Sequence, residues 1–229
     1  MQVLSLCKGY EYGESQGEMR RLYHIRQIDD AMSSEINEVK EKALKEGVPI
    51  IKDEGLAFLL NYIEEHKCKQ ILELGTAVGY SAMHMARLSK DIHIDTIEKD
   101  EAMYQQAIKN IDEAGLSDQI KVYFMPIEEF DTDQMYDLIF VDAAKAQYGK
   151  YMEKFLRNLK EDGAMVFDNM IFHGLIYDVE NIASRNLRNL VKKIVKFREL
   201  VHNDTRFDIM EFDNIGDGIF VLTRRKSET

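Results

Sequence analysis

QILELGTAVGYSAMHMARLS (residues 70–89) changes rhythm at its centre. QILEL (70–74) is an apolar run of strand length, whereas GYSAMHMARLS (79–89) repeats its apolar residues at helical spacing. Gly75 and Gly79 lie between them, where glycine lets backbone turn sharply and approach a ligand closely. A strand that turns into a helix in this way is the first half of a βαβ unit. The chain repeats the pattern: strands are expected over IHIDTIE (92–98), IKVYFM (120–125), YDLIFVD (136–142) and GAMVFDN (163–169), with helices over 101–115 and 148–160. Such alternation predicts an α/β fold built on a doubly wound, mostly parallel sheet.

Both ends of the chain depart from that rhythm. Leu22, Ile25, Ile28, Met32, Ile36 and Val39 recur at spacings of three and four, which predicts a helix over about 18–46. GVPI (47–50) breaks it, and a second helix is expected over 52–66. At the other end a helix over 181–200 precedes strands near 207–212 and 218–224, joined by DNIGDG (213–218). That hairpin-like finish would bring an antiparallel strand to the sheet edge. One domain is expected over 1–229, with an N-terminal helical cap (1–66) and a ligand-binding core (67–229).

Composition excludes several classes. Hydrophobic residues make up 45% and charged residues 31% of the 229, as in soluble globular proteins. No apolar run approaches the ~20 residues of a membrane span. MQVLSLCKGYEYGE (1–14) has no basic start and no apolar centre, so no signal peptide is expected. Cys7 and Cys68 form no CxxC pair, which points to a reducing, cytoplasmic setting. The net charge of −11 argues against a general nucleic-acid binder. RNLRNLVKKIVKFR (185–198) is the local exception, with six cations and no acid.

Ligands of such sheets bind beyond the carboxyl ends of the strands. The E-x-G-x-x-x-G spacing of Glu73, Gly75 and Gly79 is not the G-x-G-x-x-G of dinucleotide sites. Glu98 ends the second strand, where a carboxylate accepts hydrogen bonds from a ribose diol. Glu73 is expected, partly buried, to receive a cationic or amine group, or else to cap a helix. The turn offers acids and no Lys or Arg, so the positive sulfonium of S-adenosylmethionine fits it better than a pyrophosphate.

Two later strands each end on oxygen donors, Asp142 and the pair Asp168–Asn169. Neighbouring strand ends lie about 5 Å apart, and two carboxylates that close repel unless they share a proton or a cation. With Asn169 they form the all-oxygen set that Mg2+ or another hard divalent cation prefers. The plainer alternative makes Asp142 a helix cap and Asp168–Asn169 a turn. Lys145, three residues past Asp142, is placed to take a proton from a substrate hydroxyl. These groups predict metal-assisted O-methylation. None of the six histidines forms HxH or HExxH, and GYSAM is not a nucleophile elbow.

GVPIIKDEG, ILELGTAVGYSAMHMA, TIEKD, YDLIFVDAAKAQYGKY and GAMVFDNMIFHGL together resemble the cation-dependent class I O-methyltransferases, from about Val48 to Leu175. That group includes catechol and caffeoyl-CoA O-methyltransferases. The resemblance implies a Rossmann-like methyltransferase fold with seven strands, and usually a homodimer. It implies S-adenosylmethionine contacts at Val48, Glu73, Gly75, Thr76, Ser81, Glu98 and Asp142, metal ligands at Asp142, Asp168 and Asn169, and catalytic roles for Lys145 and Asp142. At YFMPI (123–127) the chain lacks the family's usual Gly-Asp pair, so Ile127 would meet the adenine through its backbone.

Within the family, DAAKAQY and RNLRNLVKKI look most like the bacterial tRNA 5-hydroxyuridine methyltransferases. This resemblance implies a wobble uridine in tRNA as acceptor, with a small catechol-like molecule as the alternative. Vicinal oxygens O4 and O5 of 5-hydroxyuracil match those of a catechol. On that reading Arg185, Arg188, Lys192, Lys193 and Lys196 face RNA phosphates. The alternative is a solvated amphipathic helix.

Overall fold

A computed structural model describes residues 34–225. Of the helix expected over 18–46, the described portion is α1 (Ser34–Glu46); positions 18–33 lie outside the described residues. Helix α2 (Asp53–His66) follows, and then strands and helices alternate. They are β1 (Gln70–Leu74), α3 (Tyr80–Arg87), β2 (His93–Glu98), α4 (Glu101–Glu113), β3 (Ile120–Phe124), β4 (Tyr136–Val141), α5 (Tyr148–Phe155) and β5 (Leu159–Phe167). Helix α6 (Arg185–His202) and strands β6 (Phe207–Phe212) and β7 (Ile219–Arg224) complete the order.

The seven strands form one sheet in the order β3-β2-β1-β4-β5-β7-β6. Strands β1 to β5 are parallel, so the order reverses beside β1 and β4, where α/β sheets open a ligand crevice. The C-terminal hairpin brings antiparallel pairing to the edge as expected, with β7 running against both β5 and β6. Strand β6 is outermost.

Side-chain alternation along each strand divides the core. Ile71, Leu138, Phe140, Ala164 and Val166 pack on one face beneath α1 to α4. Leu72, Leu74, Ile139, Val141, Met165 and Phe167 pack on the other against α5 and α6. With both faces covered, the strands read as continuous apolar runs, which is why they were legible.

Some boundaries differ from expectation. The helix expected over 148–160 ends at Phe155, and Leu156–Asn158 tighten into a 3-10 turn. The Asn158 amide donates to the carbonyls of Thr132 (2.7 Å) and Gln134 (3.0 Å), which fixes that turn on the β3–β4 connection. Leu159 and Lys160 therefore begin β5. There the register slips: Tyr136 pairs with Leu159 but Leu138 pairs with Ala164. Residues 160–163 thus bulge out of the lower end of β5. Helix α6 starts at Arg185, capped by the Ser184 hydroxyl, rather than at 181. Among the described residues no helix is long and apolar enough to cross a membrane.

Candidate active site

Strand β1 delivers its turn at the centre of the crevice. Gly75 has φ +103, and a Cβ there would lie 2.5 Å from the Asp142 carbonyl oxygen. Only glycine permits that approach of the β1 and β4 exits. Ala77 also takes a positive φ, +46, and its amide donates to Glu98 Oε2 at 2.9 Å. Oε1 of Glu98 accepts from the amides of Lys99 (2.9 Å) and Asp100 (2.8 Å). Three backbone donors thus aim one carboxylate and leave part of its acceptor capacity open.

The resulting cavity holds about 260 Å³. Of the residues expected to hold the cofactor, Gly75, Thr76, Ser81, Glu98, Ile127 and Asp142 line it, as does Lys145. Val48 does not: its amide is bonded to the Ala43 carbonyl (2.9 Å), and the next residues, Pro49 to Ile51, supply that wall. Tyr80, Lys99 and Tyr151 also line it and were given no role from sequence.

Glu73 is a second departure. It is 0% exposed rather than partly buried, because it shares the Ile71 face of the pleat and points beneath α3. Its carboxyl accepts from the Thr96 hydroxyl (2.6 Å) and from Ser81, and Thr96 in turn meets Thr76 at 2.7 Å. It does not itself line the cavity; it holds the hydroxyl of Ser81, which does line the wall. Burial pushes this carboxyl up to about 7, against the opposing pull of the two hydroxyls.

The oxygen donors expected at β4 and β5 do converge. Val141 pairs with Phe167, and the Asp168 amide donates to the Val141 carbonyl (3.2 Å), so Asp142 and Asp168 leave the sheet side by side. Asp142 Oδ1 meets both the Asn169 side-chain amide (2.9 Å) and Lys145 Nζ (3.2 Å). Asp168 is 3% exposed. Burial, and next the Asp142 charge, push its carboxyl up to about 7.

The loop after β5 is unusually left-handed: Asn169 (φ +64), Phe172 (+46), His173 (+57) and Gly174 (+77). Non-glycine residues there cost about 1–2 kcal/mol each, so other contacts must hold the loop. Tyr148 supplies one, its buried hydroxyl donating to the Asp168 carbonyl at 2.8 Å. Nothing in DAAKAQY marks this tyrosine for that contact.

Asp142 and Asp168, leaving adjacent strands, together with the Asn169 side-chain amide bonded to Asp142, make a donor set that suits a hard divalent cation. Their mutual repulsion, expressed in Asp168, is what a cation would relieve. Among the described residues no three His, Cys, Asp or Glu side chains converge to hold a metal, and here the third donor is the Asn169 amide.

The basic helix is less free than its sequence suggests. Arg188 donates twice to the Ile182 carbonyl (2.9 and 2.6 Å), and Lys192 pairs with Glu180 at 3.0 Å. Arg185, Lys193 and Lys196 remain exposed on α6.

Comparison with known proteins agrees with this arrangement. The O-methyltransferase family model matches residues 26–226. Caffeoyl-CoA O-methyltransferase of Populus kitakamiensis is 30% identical over 226 residues, covering 94% of this chain and 91% of that one. Catechol O-methyltransferase of Niastella koreensis is 33% identical over 157 residues, 66% of this chain and 70% of that one. A crystal structure of a candidate caffeoyl-CoA O-methyltransferase from Staphylococcus aureus superposes with TM-score 0.82 at 34% identity, over 90% of this chain and all of that one. The O-methyltransferase of Bacillus cereus in complex with SAH gives TM-score 0.71 at 25% identity, over 87% and 96%. A glycine turn facing a ribose-type carboxylate, an oxygen corner beside it and a match over nearly the whole chain have one explanation: this chain belongs to the O-methyltransferase family.

Proposed function

We propose that this chain transfers the methyl group of S-adenosylmethionine to one of two adjacent oxygens on a small catechol-type acceptor, with a divalent cation held by Asp142, Asp168 and Asn169. The observation that carries this reading is Asp142, which lines the cavity that Gly75 and Glu98 floor and whose Oδ1 meets both Lys145 and the Asn169 side-chain amide, with Asp168 leaving the adjacent strand beside it. Relatives named for caffeoyl-CoA and catechol support it, since both acceptors carry vicinal ring hydroxyls.

Glu98, fixed by three amides, takes the ribose hydroxyls. Gly75 admits the cofactor against bare backbone, and the Ser81 hydroxyl, anchored on Glu73, braces that wall. The cation supplies Lewis acidity that lowers the pKa of a nearby acceptor hydroxyl. Lys145, as the neutral amine, receives the proton of that hydroxyl and becomes the ammonium. The O–CH3 bond forms as the S–CH3 bond breaks, and the sulfonium leaves as a neutral thioether. Holding the two reactants in line is itself a large part of such a rate enhancement.

A wobble 5-hydroxyuridine in tRNA presents the same oxygen pair and is the second reading. Arg185, Lys193 and Lys196 favour it; the engagement of Arg188 and Lys192 counts against it.

Labelled S-adenosylmethionine with Mg2+ tests both, offered to a catechol panel or to tRNA carrying 5-hydroxyuridine, with and without chelator. Chelator-sensitive label in catechols is expected. Label confined to the tRNA would replace the acceptor assignment by the second reading, and transfer indifferent to chelator would remove the cation from the mechanism.

A further inference from the structure

We propose that Asp217, in the turn before β7, is a positioning residue that holds the loop carrying Asn169 in its left-handed shape. Its consequence for cation binding rests on the function proposed above; its role as a tie does not.

Asp217 is 2% exposed, although it belongs to a Gly-Asp-Gly turn of the kind that ordinarily sits in solvent. It holds the 170–173 segment at two points. Its backbone carbonyl accepts from the Ile171 amide at 2.9 Å, and its Oδ1 accepts from the His173 amide at 2.7 Å. The neighbouring Gly218 carbonyl takes the Met170 amide at 2.9 Å. Three amides of one short segment, immediately after Asn169, are thus satisfied by two consecutive turn residues.

The closeness is built in. Gly218 has φ +84, and a Cβ on it would come within 2.8 Å of the Ile171 nitrogen. Gly216 has φ +59, and a Cβ there would meet the Gly55 nitrogen at 3.2 Å. The turn is therefore wedged between the start of α2 and the loop. Lys52, just past the Pro49–Ile51 wall of the cavity, lies 3.5 Å from Asp217 Oδ1, as does His173 Nδ1. One carboxylate joins the cofactor-side wall to the oxygen corner.

Among the described residues, Asp217 Oδ2 is buried with no hydrogen-bond partner. Desolvating an acceptor without replacing its bonds is unfavourable. A carboxylate needed only to close a turn would face water; this one is retained inside because its other oxygen fixes the loop. Tyr148 pins Asp168 from the α5 side, and Asp217 pins the residues after Asn169 from the β7 side, so the donor pair is clamped at both ends.

Two substitutions separate position from charge. D217A removes the acceptor for the His173 amide, whereas D217N keeps an amide oxygen in its place without the charge. Hydrogen–deuterium exchange over 168–174 reads the tie itself, and Mn2+ titration in the presence of SAH, followed by electron paramagnetic resonance, reads the oxygen corner. Calorimetric SAH affinity, expected to stay within about threefold, reports that each variant is folded.

In D217A exchange over 168–174 should accelerate at least about tenfold, and the Mn2+ dissociation constant should rise about 10–100-fold, the range typical of residues that orient ligands. D217N should restore both to near the unmodified protein. Unchanged exchange in D217A overturns the proposal, as does accelerated exchange with unchanged Mn2+ affinity. D217N as impaired as D217A would overturn positioning in favour of charge. Unmodified protein that binds no Mn2+ would defeat the cation reading above, and the exchange arm alone would then decide the tie.

Discussion

The side-chain amide of Asn169, at the exit of β5, sits 2.9 Å from Oδ1 of Asp142, at the exit of β4. The two residues are joined only because β4 and β5 pair as Val141 with Phe167. N169A removes one donor of the oxygen corner and the brace on Asp142 together. Methyl transfer is expected to fall more than about 100-fold, exceeding the usual cost of losing an outer-shell partner. SAH affinity should hold, since Glu98 and Gly75 are untouched; kinetics with calorimetry on the same preparation checks both.

Lys145 reaches Asp142 Oδ1 at 3.2 Å and lines the cavity. K145A should lower kcat by about 10²–10⁴-fold, the range for loss of a general base or acid, with little change in the KM for S-adenosylmethionine. K145R should not restore it, because a guanidinium stays protonated and is shaped differently. Recovery of turnover in K145R would show that Lys145 acts by charge alone.

Glu73 gives a pH dependence with a definite sign. Its carboxyl, ordinarily near 4.5, is pushed up to about 7 in the folded chain. Between those values the native state holds a proton that the unfolded chain releases. Its contribution is therefore present below about 4.5, declines as pH rises toward 7, and stays lost above. The whole change is on the order of 3 kcal/mol. E73Q cannot titrate, so its stability relative to the unmodified protein should improve as pH is raised from about 5 to 8. Denaturant melts at those pH values check this; parallel profiles for the two proteins would show that Glu73 does not titrate in this range.

Gly75 is expected to tolerate no side chain. In G75A the new methyl meets the Asp142 carbonyl, 2.5 Å from the Cβ position, at a φ of +103. Strain of that kind costs about 1–3 kcal/mol. A chain of this length should lose roughly 2–4 °C in Tm per kcal/mol. Because the turn also faces the cavity, SAH affinity should drop as well, and calorimetry on a still-folded variant separates the two effects.

Residues whose role follows from chain-local pattern were legible in the sequence. Strand and helix periodicity, the Gly75–Gly79 turn and the strand-end positions of Glu98, Asp142 and Asp168 all follow from residue order. Glu73 was misjudged because its depth depends on the pleat: one residue along, Leu72 and Leu74 face the opposite core. The engagement of Arg188 with the Ile182 carbonyl and of Lys192 with Glu180 was not legible, because those partners precede the helix and carry no pattern. Tyr148 and Asp217 act on a loop far from them in the chain, which no spacing rule reaches. Helix α5 was overextended because the amide that stops it belongs to Asn158, whose acceptors lie on another connection.

The bulge at the foot of β5 separates two lengths that an uninterrupted strand would couple. Pairing resumes at Leu138 with Ala164, and Glu161 and Asp162 at the tip of the bulge are exposed. The bulge lies at the end of the sheet opposite the cavity. A short reporter peptide grafted after Glu161 is therefore expected to leave the chemistry intact, which makes this corner a natural tether for immobilising or fluorescently labelling the enzyme without disturbing its working end.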